Sequence, residues 1–264
     1  FGRPAAGKTG TSQNWRDEIE AVQEVAHAFG DHPVADYIWR TAESLDVATR
    51  LLDALGTHEV TEHSIRLFGK PGDELPGSEV HNIDAARHFI GLADELSHEL
   101  AAQEADYCLS AETLQSELQE QISRFFVHHN VRVEIDPNLM AKAAAGPTRI
   151  RLRSATAFSE YDRHQLLEHE AFVHSLTALN GREQSNLPTL GINSPRITAT
   201  QEGLATFAEL ITGSIDIGRM KRISMRIIAI DMALKGADFI DVFKFFLDSG
   251  TTDADSFTST QRVF

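Results

Sequence analysis

Apolar residues recur every three or four positions through most of this chain, which is the spacing of amphipathic helices. In the first half it predicts four helices: Trp15–Phe29, Ala35–Leu55, Ile83–Ala102 and Ala111–Phe126. Near the end it predicts three more: Thr200–Ile211, Ile217–Leu234 and Phe239–Leu247. Clusters of Gly and Pro separate several of these segments, as expected of turns.

Strand patterning is confined to the middle of the chain. Val131–Ile135 and Ile150–Arg153 alternate apolar and polar residues, which is typical of half-buried strands. A long helix is predicted directly afterwards, from Ser159 to about Asn180, and Gly181 ends it. The fold class is therefore α+β and mainly helical, with a small sheet preceding the long helix.

This long helix carries an H-E-x-x-x-H pattern formed by His169, Glu170 and His174. In zinc peptidases with H-E-x-x-H, histidines four residues apart share one helix face and the glutamate acts on the metal-bound water. A spacing of five separates the rings by about 140° on a regular α-helix. We therefore expect a π-bulge, a widening common at functional sites, to bring both rings to one metal.

The same pattern occurs a second time at His58 and His63, just after Gly56. A helix break of this kind favours two solvent-facing histidines. By contrast, apolar residues surround His169 and His174, and buried polar groups need partners. The predicted metal site is therefore the copy at His169 and His174, not the one at His58 and His63.

A catalytic zinc usually has three protein ligands and one open position. Glu202 is the candidate third ligand, because it follows a loop and lies near the start of another predicted helix. Thr200 would cap that helix, and Gly203 would permit a close backbone approach. Glu209, two turns further on the same face, would hold the second nitrogen of a ligand histidine.

The H-E-x-x-x-H pattern followed by Gln-Glu-Gly-Leu-Ala at 201–205 resembles a bacterial family with this QEGLA motif, described as modulators of flavohaemoglobin expression. It is also similar to the animal microtubule-associated tyrosine carboxypeptidases, which remove the terminal tyrosine of α-tubulin. The resemblance runs from about residue 20 to the end and is strongest over residues 150–250.

The resemblance implies a zincin-like metallopeptidase with zinc on His169, His174 and Glu202, and with Glu170 polarising the water. The tubulin substrate does not carry over, because nothing in the sequence marks a tubulin-binding surface. Family members continue beyond the equivalent of Arg262–Phe264, so we expect this chain to be truncated at its C-terminus.

Two functions fit these residues. One is a zinc-dependent peptidase, in particular a carboxypeptidase acting on peptide or protein C-termini; the other is a non-catalytic zinc-containing regulatory or binding protein. Glu170 favours the enzyme, since a structural zinc site needs no base. A carboxypeptidase must also bind a terminal carboxylate. Arg219, Arg222 and Arg226 share one predicted helix face and are candidates, with a solvated basic face as the alternative.

The charge balance limits the partners of this protein. Its 264 residues include 39 acidic and 24 basic side chains, for a net charge of −15, which disfavours nucleic-acid binding. No apolar run reaches the roughly 18 residues of a membrane span. The single cysteine, Cys108, cannot form an internal disulfide, so the cytoplasm fits best. Zinc is the predicted cofactor, and a peptide or protein the predicted partner.

Three parts are predicted along the chain: a tail at 1–16, a helical part at 17–107 and a metal-binding part at 108–264. Gly2–Thr9 matches the phosphate-binding loop pattern, but no strand precedes it. Gly7–Trp15 looks instead like the K-T-G box of penicillin-binding transpeptidases. We expect residues 1–16 to be a foreign or disordered segment.

Overall fold

The computed structural model describes residues 9–96, 109–139 and 141–264. Its α-helices are α1 (Thr9–Ala28), α2 (Pro33–Asp53), α3 (Glu59–Phe68), α4 (Asn82–Glu95), α5 (Ala111–Phe125), α6 (Glu160–Leu166), α7 (Leu176–Arg182), α8 (Thr198–Ile211), α9 (Ile217–Leu234), α10 (Phe239–Asp248) and α11 (Asp253–Gln261). A π-helix spans Leu167–Ser175, and short 3₁₀ turns span Pro188–Gly191 and Pro195–Ile197. Among the described residues, no helix combines the length and apolar content needed to cross a membrane.

Internal contacts divide the chain into two compact units. The first comprises Phe1–Lys70 and Asn193–Ala199, and the second comprises Pro71–Ile192 and Thr200–Phe264. The predicted boundary between residues 107 and 108 lies outside the described residues, as does Cys108, and this boundary stays a prediction. Residues 1–8, with most of the phosphate-loop match, also lie outside them.

The mainly helical α+β fold class is confirmed, and all seven helices predicted from apolar periodicity are present. The predicted end of the third, Ala102, lies outside the described residues. Helix α1 begins at Thr9 rather than Trp15, so its first turns occupy part of the segment expected to be a disordered tail.

Helices α3 and α11 are absent from the prediction. The sequence of α11 is rich in Asp, Ser and Thr and has no apolar stripe. Thr252 caps this helix, because its side chain accepts from the backbone N–H of Asp255. A polar cap and tertiary contacts, not apolar periodicity, therefore define α11.

The sheet has three strands, β1 (Arg132–Asp136), β2 (Ala143–Gly146) and β3 (Arg149–Arg153), in the order β1-β3-β2. Strand β1 pairs in parallel with β3, and β2 pairs antiparallel with it. Both predicted strands are confirmed as β1 and β3. Strand β2 is absent from the prediction because its sequence, Ala-Ala-Ala-Gly, has neither β-branched residues nor alternation.

Helix α5 supports this sheet and thereby the π-helix. Its fully buried Leu114, Leu118 and Ile122 belong to the same apolar core as residues of β1, β3 and the π-helix. The amide of Gln119 donates to the carbonyl of Val131 at 3.0 Å and accepts from the N–H of Val133 at 2.8 Å. The sheet and the π-helix are thus held on one common core.

The hydroxyl of Ser175, at the end of the π-helix, donates to the carbonyl of Gly146 in β2 at 2.9 Å. A second core cluster joins α9 and α10 through Met225, Ala229, Val242 and Phe246. These two cores include residues of the π-helix and of α9, which are two of the helical segments from which the site described below is built.

Gly181 is the position where we expect a single methyl group to be most harmful to packing. A Cβ at this residue would clash with the backbone of Leu190 and Gly191. We expect Gly181→Ala to lower the free energy of unfolding by about 1–3 kcal/mol, as overpacking does.

Gly91 in α4 is the matched control, because a Cβ there meets nothing within 4 Å. Gly91→Ala should be stabilising by about 0.5–1 kcal/mol in urea unfolding. Equal effects of the two substitutions would contradict this packing.

Candidate metal centre

The wide turn predicted from the five-residue histidine spacing is present. Ser159 and Asp162 form a capping box that starts α6, and the chain then passes directly into the π-helix Leu167–Ser175. Because a π-helix has more residues per turn than an α-helix, positions five apart come to share a face. The rings of His169 and His174 accordingly lie 4.8 Å apart between centroids.

Glu202, on α8, completes a group of three potential metal ligands. The Nε2 atoms of His169 and His174 each lie 3.6 Å from an oxygen of Glu202. All three ligand atoms lie within 4.8 Å of one another. Neighbouring ligand atoms on a tetrahedral zinc with bonds of 2.0–2.1 Å are about 3.4 Å apart. The residues therefore fit a zinc ion with only small adjustments.

The other nitrogen of each histidine has a partner of its own. Nδ1 of His169 lies 2.6 Å from Oε1 of Glu209, and Nδ1 of His174 lies 3.4 Å from Oε1 of Gln201. An Nδ1–H that donates to an oxygen leaves Nε2 as the free lone pair for a metal. The contact between Glu209 and His169 is the one expected from the sequence, whereas Gln201 was not among the expected residues.

Glu209 lies at the centre of a buried network. Its side chain has no exposed surface, and it accepts from Arg219 Nε at 2.5 Å and from Arg219 Nη2 at 2.7 Å. The amide of Gln165 donates to it at 3.2 Å. The two-point contact with Arg219 fixes the carboxylate in plane and position. His169 is therefore oriented by a carboxylate that an arginine holds in turn.

These charges displace the pKa values of the site in opposite directions. Burial of His169 disfavours its charged form, but the nearby carboxylate of Glu202 and the hydrogen bond to Glu209 outweigh that effect and raise its pKa to about 9. The interaction with His169 lowers the pKa of Glu202. Burial opposes ionisation of Glu209, yet His169 and Arg219 lower its pKa overall. Because a metal-binding histidine is neutral, metal uptake would release the proton that His169 otherwise carries.

Glu170 is adjacent to His169 in sequence but is not one of the three grouped ligands. Its side chain is buried, and burial raises its pKa against the opposing charges of His169 and His174. The backbone of Ala145 in β2 forms a hydrogen bond with it. The site thus offers one carboxylate beside the ligand set, held by the edge of the sheet.

The three arginines of α9 have different surroundings despite sharing one helix face. Arg219 is engaged by Glu209 in the two-point contact. Arg222 is 60% exposed and lies 4.0 Å from Asp216. Arg226 is half-buried, and its Nε has no hydrogen-bond partner among the described residues.

The copy of the histidine pattern at His58 and His63 forms no comparable group among the described residues. His58 is exposed and immediately precedes α3, and His63 lies within that helix. In residues 9–96, 109–139 and 141–264, the His169 group is the one set of three ligand-type side chains close enough for a metal. The described residues thus group three ligand-type side chains at His169 and His174, and metal binding there stays a prediction.

Gln165 and Arg219 are site residues whose supporting roles the sequence analysis missed. Gln165 lies four positions before His169, so its helical spacing was a usable signal. The pairing of Arg219 with Glu209 joins two different helices, and neither residue carries a sequence signal for it. The sequence indicates Arg219 only as a candidate for binding the substrate carboxylate.

Fold and site together define a mainly helical α+β protein whose centre has the two histidines, carboxylate and neighbouring glutamate typical of hydrolytic zinc sites. The chain belongs to the microtubule-associated tyrosine carboxypeptidase family, which matches residues 3–264. Membership implies peptide hydrolysis of the carboxypeptidase kind. The match includes most of the segment 1–16 and does not set it apart as foreign. Neither the curated proteins nor the solved structures contain a match.

Proposed function

We propose that this protein is a zinc-dependent carboxypeptidase with a zincin-like catalytic part, in which His169, His174 and Glu202 hold the metal. The observation that carries the proposal is the grouping of these three ligand atoms within 4.8 Å, beside the buried Glu170. When bound, zinc would act as a Lewis acid on the scissile carbonyl and on the attacking water.

The surrounding residues keep the ligands in position. Arg219 holds Glu209, and Glu209 accepts from Nδ1 of His169. Gln201 lies next to Nδ1 of His174. Such partners fix ring orientation, and losing one typically weakens metal binding 10–100-fold. The side chain of Glu202 is 60% exposed, so the site is open to a peptide from this side.

Glu170 is the proposed general base. One of its carboxylate oxygens takes a proton from the attacking water and later gives it to the leaving amine. The backbone hydrogen bond at Ala145 restrains the side chain without neutralising its charge. A non-catalytic zinc protein, the alternative function, would gain nothing from a carboxylate buried beside its metal ligands, because burial of an unligated charge is unfavourable.

The proposal predicts one zinc per chain and release of single residues from peptide C-termini. A peptide ending in tyrosine is the first substrate to test, since the family is described by that residue. We expect a chelator to abolish release and added zinc to restore it, with products followed by mass spectrometry. His174→Ala should lose the zinc, and His63→Ala, from the other histidine pattern, should keep both zinc and activity. Undiminished hydrolysis by metal-free protein would overturn the proposal.

A further inference from the structure

Arg226 is a half-buried cation with no counter-ion in the part of the chain that the structure describes. Its Nε atom is buried without a hydrogen-bond partner, and no described carboxylate forms an ion pair with its guanidinium. Arg219, two turns earlier on α9, has by contrast a two-point contact with Glu209. Buried charges in proteins are normally paired, so a charge that lacks a partner calls for a ligand or another specific explanation.

The charges that act on Arg226 are positive. Its pKa is lowered by burial and then by the charges of Arg262, Arg219 and Arg222. Glu209 balances Arg219, whereas Arg222 is 60% exposed and lies 4.0 Å from Asp216. The chain has a net charge of −15, so a group of arginines with so few carboxylates is not explained by its composition. Like charges held together repel one another, and their summed potential attracts an anion.

Two separate elements bring these arginines together. Arg222 and Arg226 are four residues apart on α9, so their side chains share one face of that helix. The residues after α11 pack against the same helix, because Val263 contacts the apolar cluster that contains Met225. Arg262 is thereby brought beside α9. We call Arg222, Arg226 and Arg262 the α9–α11 arginine cluster.

A doubly charged oxyanion fits the α9–α11 arginine cluster better than a single carboxylate does. Each guanidinium presents its N–H donors in a planar fork that matches the oxygens of a carboxylate or a phosphate. One carboxylate would balance only one of the three positive charges. A phosphate group carries close to two negative charges and three acceptor oxygens, and groups of arginines commonly recognise it. Phosphate is therefore the chemical class that the cluster favours.

The cluster does not belong to the ligand set of the metal centre. The charges that act on His169, Glu170 and Glu202 include none from its three arginines. On α9, Arg219 is the arginine that contacts the metal-centre network, through Glu209. Binding of an anion at the cluster therefore requires no metal.

We propose that the α9–α11 arginine cluster binds a phosphate group at a site separate from the metal centre. Arg226 supplies the buried contact, and Arg222 and Arg262 supply the exposed ones. The site takes the group as the free ion or as part of a phosphorylated molecule, because both present the same oxygens. The inference does not depend on the proposed peptidase function.

The test titrates inorganic phosphate into the protein by calorimetry at constant ionic strength, with chloride as the reference anion. Because phosphate can also bind a zinc ion, the titration is repeated after treatment with a chelator, and both samples should bind equally. Arg226→Met should weaken binding by about 10–100-fold, as expected for lost hydrogen bonds to a charged group. Arg226→Lys keeps the charge and should lose less. Arg124→Met removes the same charge from an exposed position on α5 and should bind like the wild type.

Phosphoserine with both ends capped, titrated in the same way, distinguishes the two sources of the phosphate group. Tighter binding of phosphoserine than of inorganic phosphate would identify a phosphorylated molecule as the ligand, and weaker binding would identify the free ion. Both results support the site, provided that each affinity falls in Arg226→Met.

Thermal unfolding separates loss of binding from loss of structure. A ligand stabilises the folded state that binds it, so phosphate should raise the Tm of the wild type but not that of Arg226→Met. Without phosphate, Arg226→Met should have an equal or higher Tm, because one of several like charges is removed. A lower Tm in phosphate-free buffer would show a structural role and overturn the inference.

Arg262→Met provides a second variant, because Arg262 is exposed and its replacement should not disturb folding. We expect it to weaken phosphate binding as well. Binding that disappears with the zinc would place the anion at the metal centre and overturn the inference. Binding that survives unchanged in both Arg226→Met and Arg262→Met would overturn it too.

Discussion

Glu170→Gln is expected to remove nearly all hydrolytic activity while leaving the zinc content at that of the wild type. Glutamine has the same shape and can keep the backbone hydrogen bond at Ala145, but it cannot take a proton from water. Loss of a general base typically lowers the rate by 10²–10⁴-fold. The measurement is kcat for release of the terminal residue, together with metal analysis of the same samples.

His169→Ala and Glu202→Ala are the comparison variants, because they remove ligands and should lose zinc as well as activity. If Glu170→Gln cleaves peptides at the wild-type rate, Glu170 is not the base. If it loses zinc, Glu170 belongs among the ligands. Both outcomes are readily distinguished from the expected one, since metal content and rate are measured independently.

Arg219→Met should produce the largest loss of stability among single substitutions at this site. It leaves the carboxylate of Glu209, which has no exposed surface, without the partner that makes two contacts with it. Removing one partner of a buried ion pair costs about 3–5 kcal/mol. Because the side chain of Arg219 is 25% exposed, we expect the lower end of that range. Urea unfolding of metal-free protein gives the value.

The double variant Arg219→Met with Glu209→Gln separates charge from shape. The neutral amide introduced by Glu209→Gln needs no counter-charge, so the double variant should regain much of the lost stability. Its zinc affinity should nevertheless remain low, because the charged acceptor that orients His169 is absent. A single Arg219→Met variant as stable as the wild type would show that Glu209 does not depend on this arginine.

Local features of the chain were predictable because each depends on residues close in sequence. The apolar spacing of Ile217–Leu234 predicts α9 at the bounds observed, since periodicity and helix geometry have the same period. The five-residue spacing of His169 and His174 predicts the π-helix for a similar reason. Two rings five residues apart can reach one metal ion only where the helical turn is wide enough, so the spacing itself indicated a π-helix.

The positions of Glu202 and Glu209 could be predicted only in part from the sequence. They are seven residues apart on one helix, so their common face follows from the sequence. The contact between this face and the π-helix could be predicted only from the hypothesis that two histidines and Glu202 bind one metal. The grouping within 4.8 Å shows that the chain brings them together.

Pairings between distant segments had no such signal. Strand β2 is three alanines and a glycine, and it forms a strand only because β3 offers it a partner. Arg219 looked equivalent to Arg222 and Arg226, since spacing shows which residues share a face but not what lies opposite each of them. Packing decided that Arg219 holds Glu209 and that Arg226 has no partner among the described residues, because burial and counter-charges are properties of the assembled core and not of any one helix.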